Sequence, residues 1–168
     1  MILEDLVNKS NHTYQTKGMA AVVKIPTSWK VIWKNYKGYR KPLNAFPEHK
    51  AWLDYIGVIE GVPVTFDAKE TTNKTSFPLS NIKEHQIRDM KIWHSCGGVA
   101  FLIVWFKQQN EFYLLPYHLL IQMWNHSMNG GRKSIPYKQF QKEAIQITSG
   151  NHTYLDWLTA YHTYRGVS

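Results

Sequence analysis

Trp52 to Thr71, WLDYIGVIEGVPVTFDAKET, is the stretch that leaves this chain least freedom. β-Branched and aromatic residues crowd both sides of Glu60-Gly61, which predicts two short strands joined by a two-residue turn. Such a turn fixes the pairing. Leu53 faces Ala68, Tyr55 faces Phe66, Gly57 faces Val64 and Ile59 faces Val62, so one face is wholly apolar or glycine. The other face sets Asp54 directly across from Asp67, with Lys69 on the same side because only alternate strand residues share a face. Facing carboxylates repel by a few tenths to about 1 kcal/mol on a solvated sheet. The register therefore predicts a positive charge between them. A hard divalent cation such as Mg²⁺ fits best, because it takes a few carboxylate oxygens and keeps waters for chemistry. The plainer reading is an exposed hairpin face that happens to carry these residues. A bare D-x-K string favours that reading, and the register argues against it.

A metal held between acids acts on phosphate esters, and the charge of the chain agrees. Its net charge of +8 and pI near 9.5 suggest an anionic partner, with nucleic acid leading because no membrane signal is present. The longest apolar run, Val99 to Phe106, is too short to span a bilayer, and the N-terminus lacks a signal-peptide layout. The lone Cys96 excludes an intrachain disulfide and a cysteine-rich zinc site, and fits a reducing cytoplasm. A chain of 168 residues is expected to form one domain.

Around the hairpin, residues 2–15 read as an amphipathic helix with Glu4 and Asp5 in its first turn. Glu4 is a candidate accessory acid, and Glu70 a second. Ala20 to Ile25 predicts a central strand, and Ser28 to Trp33 a further strand. Residues 34–50 show no clear period. They carry Lys34, Lys37, Arg40, Lys41 and Lys50 among Tyr36, Tyr39 and Phe46, with Glu48 the only acid. A basic, aromatic loop of this kind suits either a phosphate-tracking arm or a solvated loop. Lys74 follows the hairpin near the presumed site, and Ser80 is a candidate helix cap. Asn81 to Ser95 predicts a helix with Ile82, Gln86, Met90 and Trp93 on one stripe. A Gln in that stripe would turn its amide toward the sheet. His85 and His94 lack the partners that a zinc site needs. Val99 to Phe106 predicts a strand buried on both faces, Phe112 to Leu115 its neighbour, and Pro116 the start of a helix. Arg132 and Lys133 lie in a glycine-containing loop that could approach a phosphate. Tyr137 to Ala144 and Tyr154 to Tyr161 predict the last helices. The sum is α/β: a central mixed sheet flanked by helices.

FDAKETTNKTSFPLSNIKEHQI resembles the core of the RecU Holliday junction resolvases, a branch of the PD-(D/E)xK nuclease superfamily. The resemblance extends through LEDLVN, AVVKIPT, DYIGV, GGVAFLIVWF, NEFYLLP, GGRKSIP and YLDWL, and so covers nearly the whole chain. It implies a restriction-endonuclease-like fold. It also implies a homodimer that uses Mg²⁺, with Mn²⁺ as a substitute, to cut four-way DNA on two strands of like polarity in recombination and repair. Residue by residue, it makes Asp54 and Asp67 the metal-binding acids, Lys69 the transition-state lysine and Gln86 the completion of the metal shell. It makes residues 34–50 a stalk that enters branched DNA. Two departures stand out. The family more usually has Glu at the place of Asp67. It commonly has Thr at the place of Trp52, and an indole cannot ligate Mg²⁺. A short chain with a variant motif would suit a bacteriophage-encoded homologue. Two alternatives stay open: a nuclease of this fold that prefers other branched DNA, and a non-catalytic junction-binding protein.

Overall fold

The structure, a computed structural model, describes residues 2–26, 29–47, 52–150 and 153–166, without the side chains of Trp29 and Pro47. Ser28, Glu48 and Lys50 lie outside the described residues.

Ten strands and five α-helices are described. A six-stranded mixed sheet carries the fold, in the order β1 (Ala21–Lys24), β4 (Tyr55–Ile59), β5 (Val62–Thr71), β7 (Val99–Phe106), β8 (Glu111–Pro116), β10 (Ile145–Ile147). Only β5 and β7 run parallel, joined by the crossover helix α2 (Glu84–Ser95). The Glu60-Gly61 turn has positive φ at both residues, 50° and 79°, the primed geometry that matches strand twist. Tyr55 pairs with Phe66, Gly57 with Val64 and Ile59 with Val62, as the turn length dictates.

Helices cover both faces. α1 (Ile2–Thr16) and α5 (Trp157–Arg165) lie on one face, over a core that includes Val7, Tyr55, Phe66, Phe101 and Trp157. α2 and α3 (Tyr117–Met128) lie on the other, over Leu53, Ile87, Met90, Leu102 and Leu120. Period-two burial on β7 splits its residues between these layers: Phe101 and Ile103 to the first, Leu102 and Val104 to the second. Tyr55, Phe66 and Phe101 stack across three strands at 4.8 and 4.7 Å between ring centroids. This aromatic ladder stiffens the sheet behind the two aspartates. α1 is tied to α5 by polar contacts: Trp157 Nε1 donates to Asn11 Oδ1 at 3.0 Å and Tyr14 Oη to Asp156 Oδ1 at 2.9 Å. No helix among the described residues is long and apolar enough to cross a membrane.

Several expectations need correction. β1 is an edge strand, with only Val22 buried, because among the described residues one of its sides has no sheet neighbour. Leu53 does not share a layer with Tyr55. The chain bends at Asp54, so Leu53 packs under α2 while Tyr55 packs under α1. Ser80 sits in a 3₁₀ turn (Leu79–Asn81), and α2 begins later, after Lys83. Most of the periodless loop is in fact a strand. β2 (Trp29–Tyr36) and β3 (Tyr39–Pro47) form a separate antiparallel ribbon closed by Lys37-Gly38, again with φ positive at both positions. At about 3.3 Å per residue the ribbon is about 25 Å long. Three short strands were not anticipated: β6 (Ser76–Pro78) paired with β9 (Ser134–Pro136), and β10. α4 (Tyr137–Glu143) completes the chain order.

Candidate functional site

Asp67 lies on β5 facing α2 and is 1% exposed. Both of its carboxylate oxygens have partners. Oδ1 accepts the Ala68 backbone N–H at 2.8 Å, and Oδ2 accepts from Gln86 Nε2 and from Lys69 Nζ, the latter at 2.9 Å. Lys69 reaches it because the i, i+2 spacing puts both side chains on one face. Gln86 reaches it because it is the third residue of α2, whose first turn rests on β5. There the Gln86 amide does two things. Its Oε1 accepts the Lys83 backbone N–H at 3.1 Å, capping the first turn of the helix, and its Nε2 is thereby aimed at Asp67. Helix capping and site geometry share one side chain.

Asp54 precedes β4 by one residue and stands against Asp67. Burial pushes the Asp67 carboxyl up to about 6, the Lys69 ammonium pulls against this, and Asp54 pushes further through its charge and a side-chain hydrogen bond. Asp54 is itself locked in place, since its carbonyl accepts the Ile25 N–H at 2.7 Å. Two carboxyls in hydrogen-bonding contact must share a proton or share a cation. The donor set suits the cation: oxygen ligands, one of them deeply buried, with lysine at the margin. Among the described residues no cluster of three or more His, Cys, Asp or Glu forms a metal-holding group. The other coordination positions would fall to waters and to oxygens of backbone or substrate, which is how Mg²⁺ is usually held.

The remaining predicted residues divide. Glu4 pairs with Lys24 at 2.5 Å. After burial, the charges of Glu4, Asp54, Asp67 and Asp5 raise the Tyr55 phenol well above its ordinary range, so acids from α1 and from the hairpin converge on that ring. Glu70 points the other way along the strand alternation and pairs with Lys107 at 2.5 Å, away from Asp67. It lines an open polar cleft with Thr72, Asn73 and Asn81. Lys34, Lys37, Arg40 and Lys41 all lie on the ribbon and are exposed. Lys37 and Lys41 each hold Nζ 5.8 Å from the Tyr36 ring centroid. Arg132 and Lys133 enter β9; the Lys133 carbonyl accepts the Leu79 N–H at 3.1 Å, which ties that loop to the turn before α2. Lys74 lies at the opposite end of the β6–β9 pair.

Residues 1–163 match the protein family described as Recombination protein U. Holliday junction resolvase RecU of Oenococcus oeni is 38% identical over 162 residues, spanning 95% of this chain and 82% of that one. The RecU of Pediococcus pentosaceus is 39% identical, with 95% and 81% covered. This chain belongs to the RecU family. Holliday junction resolvase RecU of Bacillus cereus, 36% identical over 165 residues, extends the agreement to 97% of the chain. Among solved structures, the archaeal Holliday junction resolvase Hjc of Archaeoglobus fulgidus superposes with a TM-score of 0.50 at 7% identity, covering 85% of this chain and 94% of that one. At that identity the likeness is one of fold alone. Trp52 is 43% exposed, with its ring edge-to-face against Trp93 at 6.4 Å.

Proposed function

We propose that this RecU chain is a Mg²⁺-dependent endonuclease that resolves four-way DNA junctions at the hairpin site. Two copies would cut two strands of like polarity on a substrate that is itself roughly two-fold symmetric. The observation that supports the reading is the Asp54–Asp67 contact, with Lys69 and Gln86 both donating to the buried Asp67 Oδ2. Family membership over nearly the whole chain supports the substrate.

Asp54 and Asp67 are the residues that would hold the ion. Bound there, Mg²⁺ supplies Lewis-acid polarisation of the phosphodiester and a more acidic attacking water. Gln86 keeps the Asp67 carboxylate from rotating, so its oxygens are oriented before substrate arrives. Lys69 sits 2.9 Å from Asp67 and 19% exposed, which leaves its ammonium beside the acids but within reach of substrate. Its role is to donate to a phosphoryl oxygen as negative charge develops. Among the described residues the ribbon contains Lys30, Lys34, Lys37, Arg40 and Lys41 and no acid, so it serves as the stalk that tracks phosphates at the branch. Arg132, Lys133 and Lys74 extend the basic surface. The whole chain then works as one nuclease domain.

The test compares a four-way junction, a three-way junction, a flap and a linear duplex of shared sequence, each with Mg²⁺. The expected result is paired, symmetric nicks in the four-way junction with the duplex spared. Equal cutting of all four substrates would remove junction selectivity. Binding without nicks in Mg²⁺ and in Mn²⁺ would leave only a DNA-binding role.

A further inference from the structure

Trp52 has no part in the chemistry above, yet it is a large aromatic side chain that stands partly open to solvent. It is two residues from Asp54, and both neighbours of that link are fixed. Leu53 is buried beneath α2, and the Asp54 carbonyl is bonded to Ile25. The ring itself rests on Trp93 with an interplanar angle of 84°. Trp93 is immobilised in turn. The Gly98 N–H donates to its carbonyl at 2.9 Å, and a Cβ at Gly98 would lie 2.9 Å from the Trp93 ring, so the chain passes as close as glycine allows. In an edge-to-face pair either ring keeps at least one face uncovered, which agrees with the 43% exposure of Trp52.

We infer that Trp52 is a base-stacking platform for an unstacked nucleobase at the DNA branch. The inference rests on the nuclease reading above and adds a residue that reads the branch rather than cuts it. A base inside an intact duplex has both faces covered, so an open indole selects DNA in which a base is splayed out or terminal. Trp93 lies seven residues beyond Gln86 on α2, about 10 Å at 1.5 Å per residue. The Trp52 ring centroid is 6.4 Å from that of Trp93, so the stacked base lies a few nucleotides, at about 3.4 Å each, from the cut. Because ring, backbone and supporting tryptophan are already ordered, little freedom is lost on binding, and stacking of this kind tolerates any base. Where the RecU family commonly places a threonine at the metal, this chain places a contact to the branch.

The test is binding, measured in EDTA so that no cleavage intervenes. Junctions carrying one abasic nucleotide, scanned over three positions on each side of the branch, are titrated with wild type, Trp52→Ala, Trp52→Leu and Trp52→Phe. In wild type, one position should weaken binding by about 5- to 150-fold, the range that a base–aromatic stack spans. In Trp52→Ala the intact junction should bind correspondingly weaker, and the same abasic position should add nothing. Trp52→Phe should keep most of the effect. Trp52→Leu preserves apolar packing on Trp93 without a π-face, so it carries the comparison if the alanine variant unfolds, and it should behave as alanine does. Equal abasic penalties with and without the indole, or none in wild type, would overturn the inference and make Trp52 only an anchor. Wild-type cutting of the same junction in Mg²⁺ reports separately on the nuclease reading.

Discussion

Asp67 receives a backbone N–H, an amide and an ammonium, and it stands against a second carboxyl while 1% exposed. Such a group is poised between protonation and cation binding. Its folded pKa of about 6 lies above the ordinary carboxyl value of 3.8. The folded state therefore holds the proton to higher pH than the unfolded state does. That contribution is fully present below about pH 4 and is lost as pH rises through about 6, up to about 3 kcal/mol in all. In EDTA, thermal denaturation should show wild type losing stability relative to Asp67→Asn across this window, and Mg²⁺ should restore part of the loss at pH 7–8 by binding the ionised form. Parallel curves for the two proteins would mean that Asp67 is not buried as described. Lys69→Ala removes the lysine that is ion-paired with Asp67. It should slow junction cutting by about 10²–10³-fold while electrophoretic-mobility titrations change little. Asp54, Asp67 and Lys69 were legible in the sequence because a two-residue turn admits a single register. The second role of Gln86 was not, because it depends on α2 starting at Glu84, a boundary for which Ser80 offered a false signal.

Two elements set what the residues can do. The first turn of α2 holds Gln86 between the Lys83 N–H and Asp67. Gln86→Ala should cost about 1 kcal/mol from the lost cap and also release Asp67, so a lower melting temperature and a lower cutting rate are expected together. A variant that loses rate with unchanged melting would assign Gln86 to the chemistry alone. The β2–β3 ribbon is the second element. Among the described residues its strands hydrogen-bond in a sheet of their own, and Trp33, Tyr36, Tyr39, Leu43 and Phe46 stand exposed. Replacing Lys34, Lys37, Arg40 and Lys41 by Ala one at a time should weaken junction binding and lower its salt slope by about 1 each, with melting unchanged. An unaltered slope would take the ribbon off the DNA. The ribbon escaped the sequence reading for a physical reason. Pro42 lies in β3 and pairing shifts between Ile32 and Trp33, so the alternation that marks a strand is broken. Lys37-Gly38, flanked by Tyr36 and Tyr39, was the available signal, the same turn chemistry as Glu60-Gly61.

At the scale of the molecule, one parallel pair, β5 with β7, governs the layout. It forces a crossover, α2 is that crossover, and its N-terminus comes to rest over the acids. The buried run Val99–Phe106 and the hairpin made the heart of this sheet readable. The edges were less so, because β1 buries only Val22 of its four residues and β10 spans only Ile145–Ile147, too little pattern for either to announce its place. The net charge of +8 supplies affinity for DNA without choosing a structure in it. On the proposed reading, choice falls to the ribbon, to Trp52 and to the pairing of two copies. The most direct measurement is single-turnover cutting of an immobile four-way junction in Mg²⁺ by wild type and Asp67→Ala, with binding followed on the same samples. The account predicts symmetric nicks in two strands of like polarity from wild type, a loss of at least about 10³-fold in the variant, and binding kept within a few-fold. Nicking by Asp67→Ala at the wild-type rate would contradict it, because the hairpin carboxylates would then not be the cutting site.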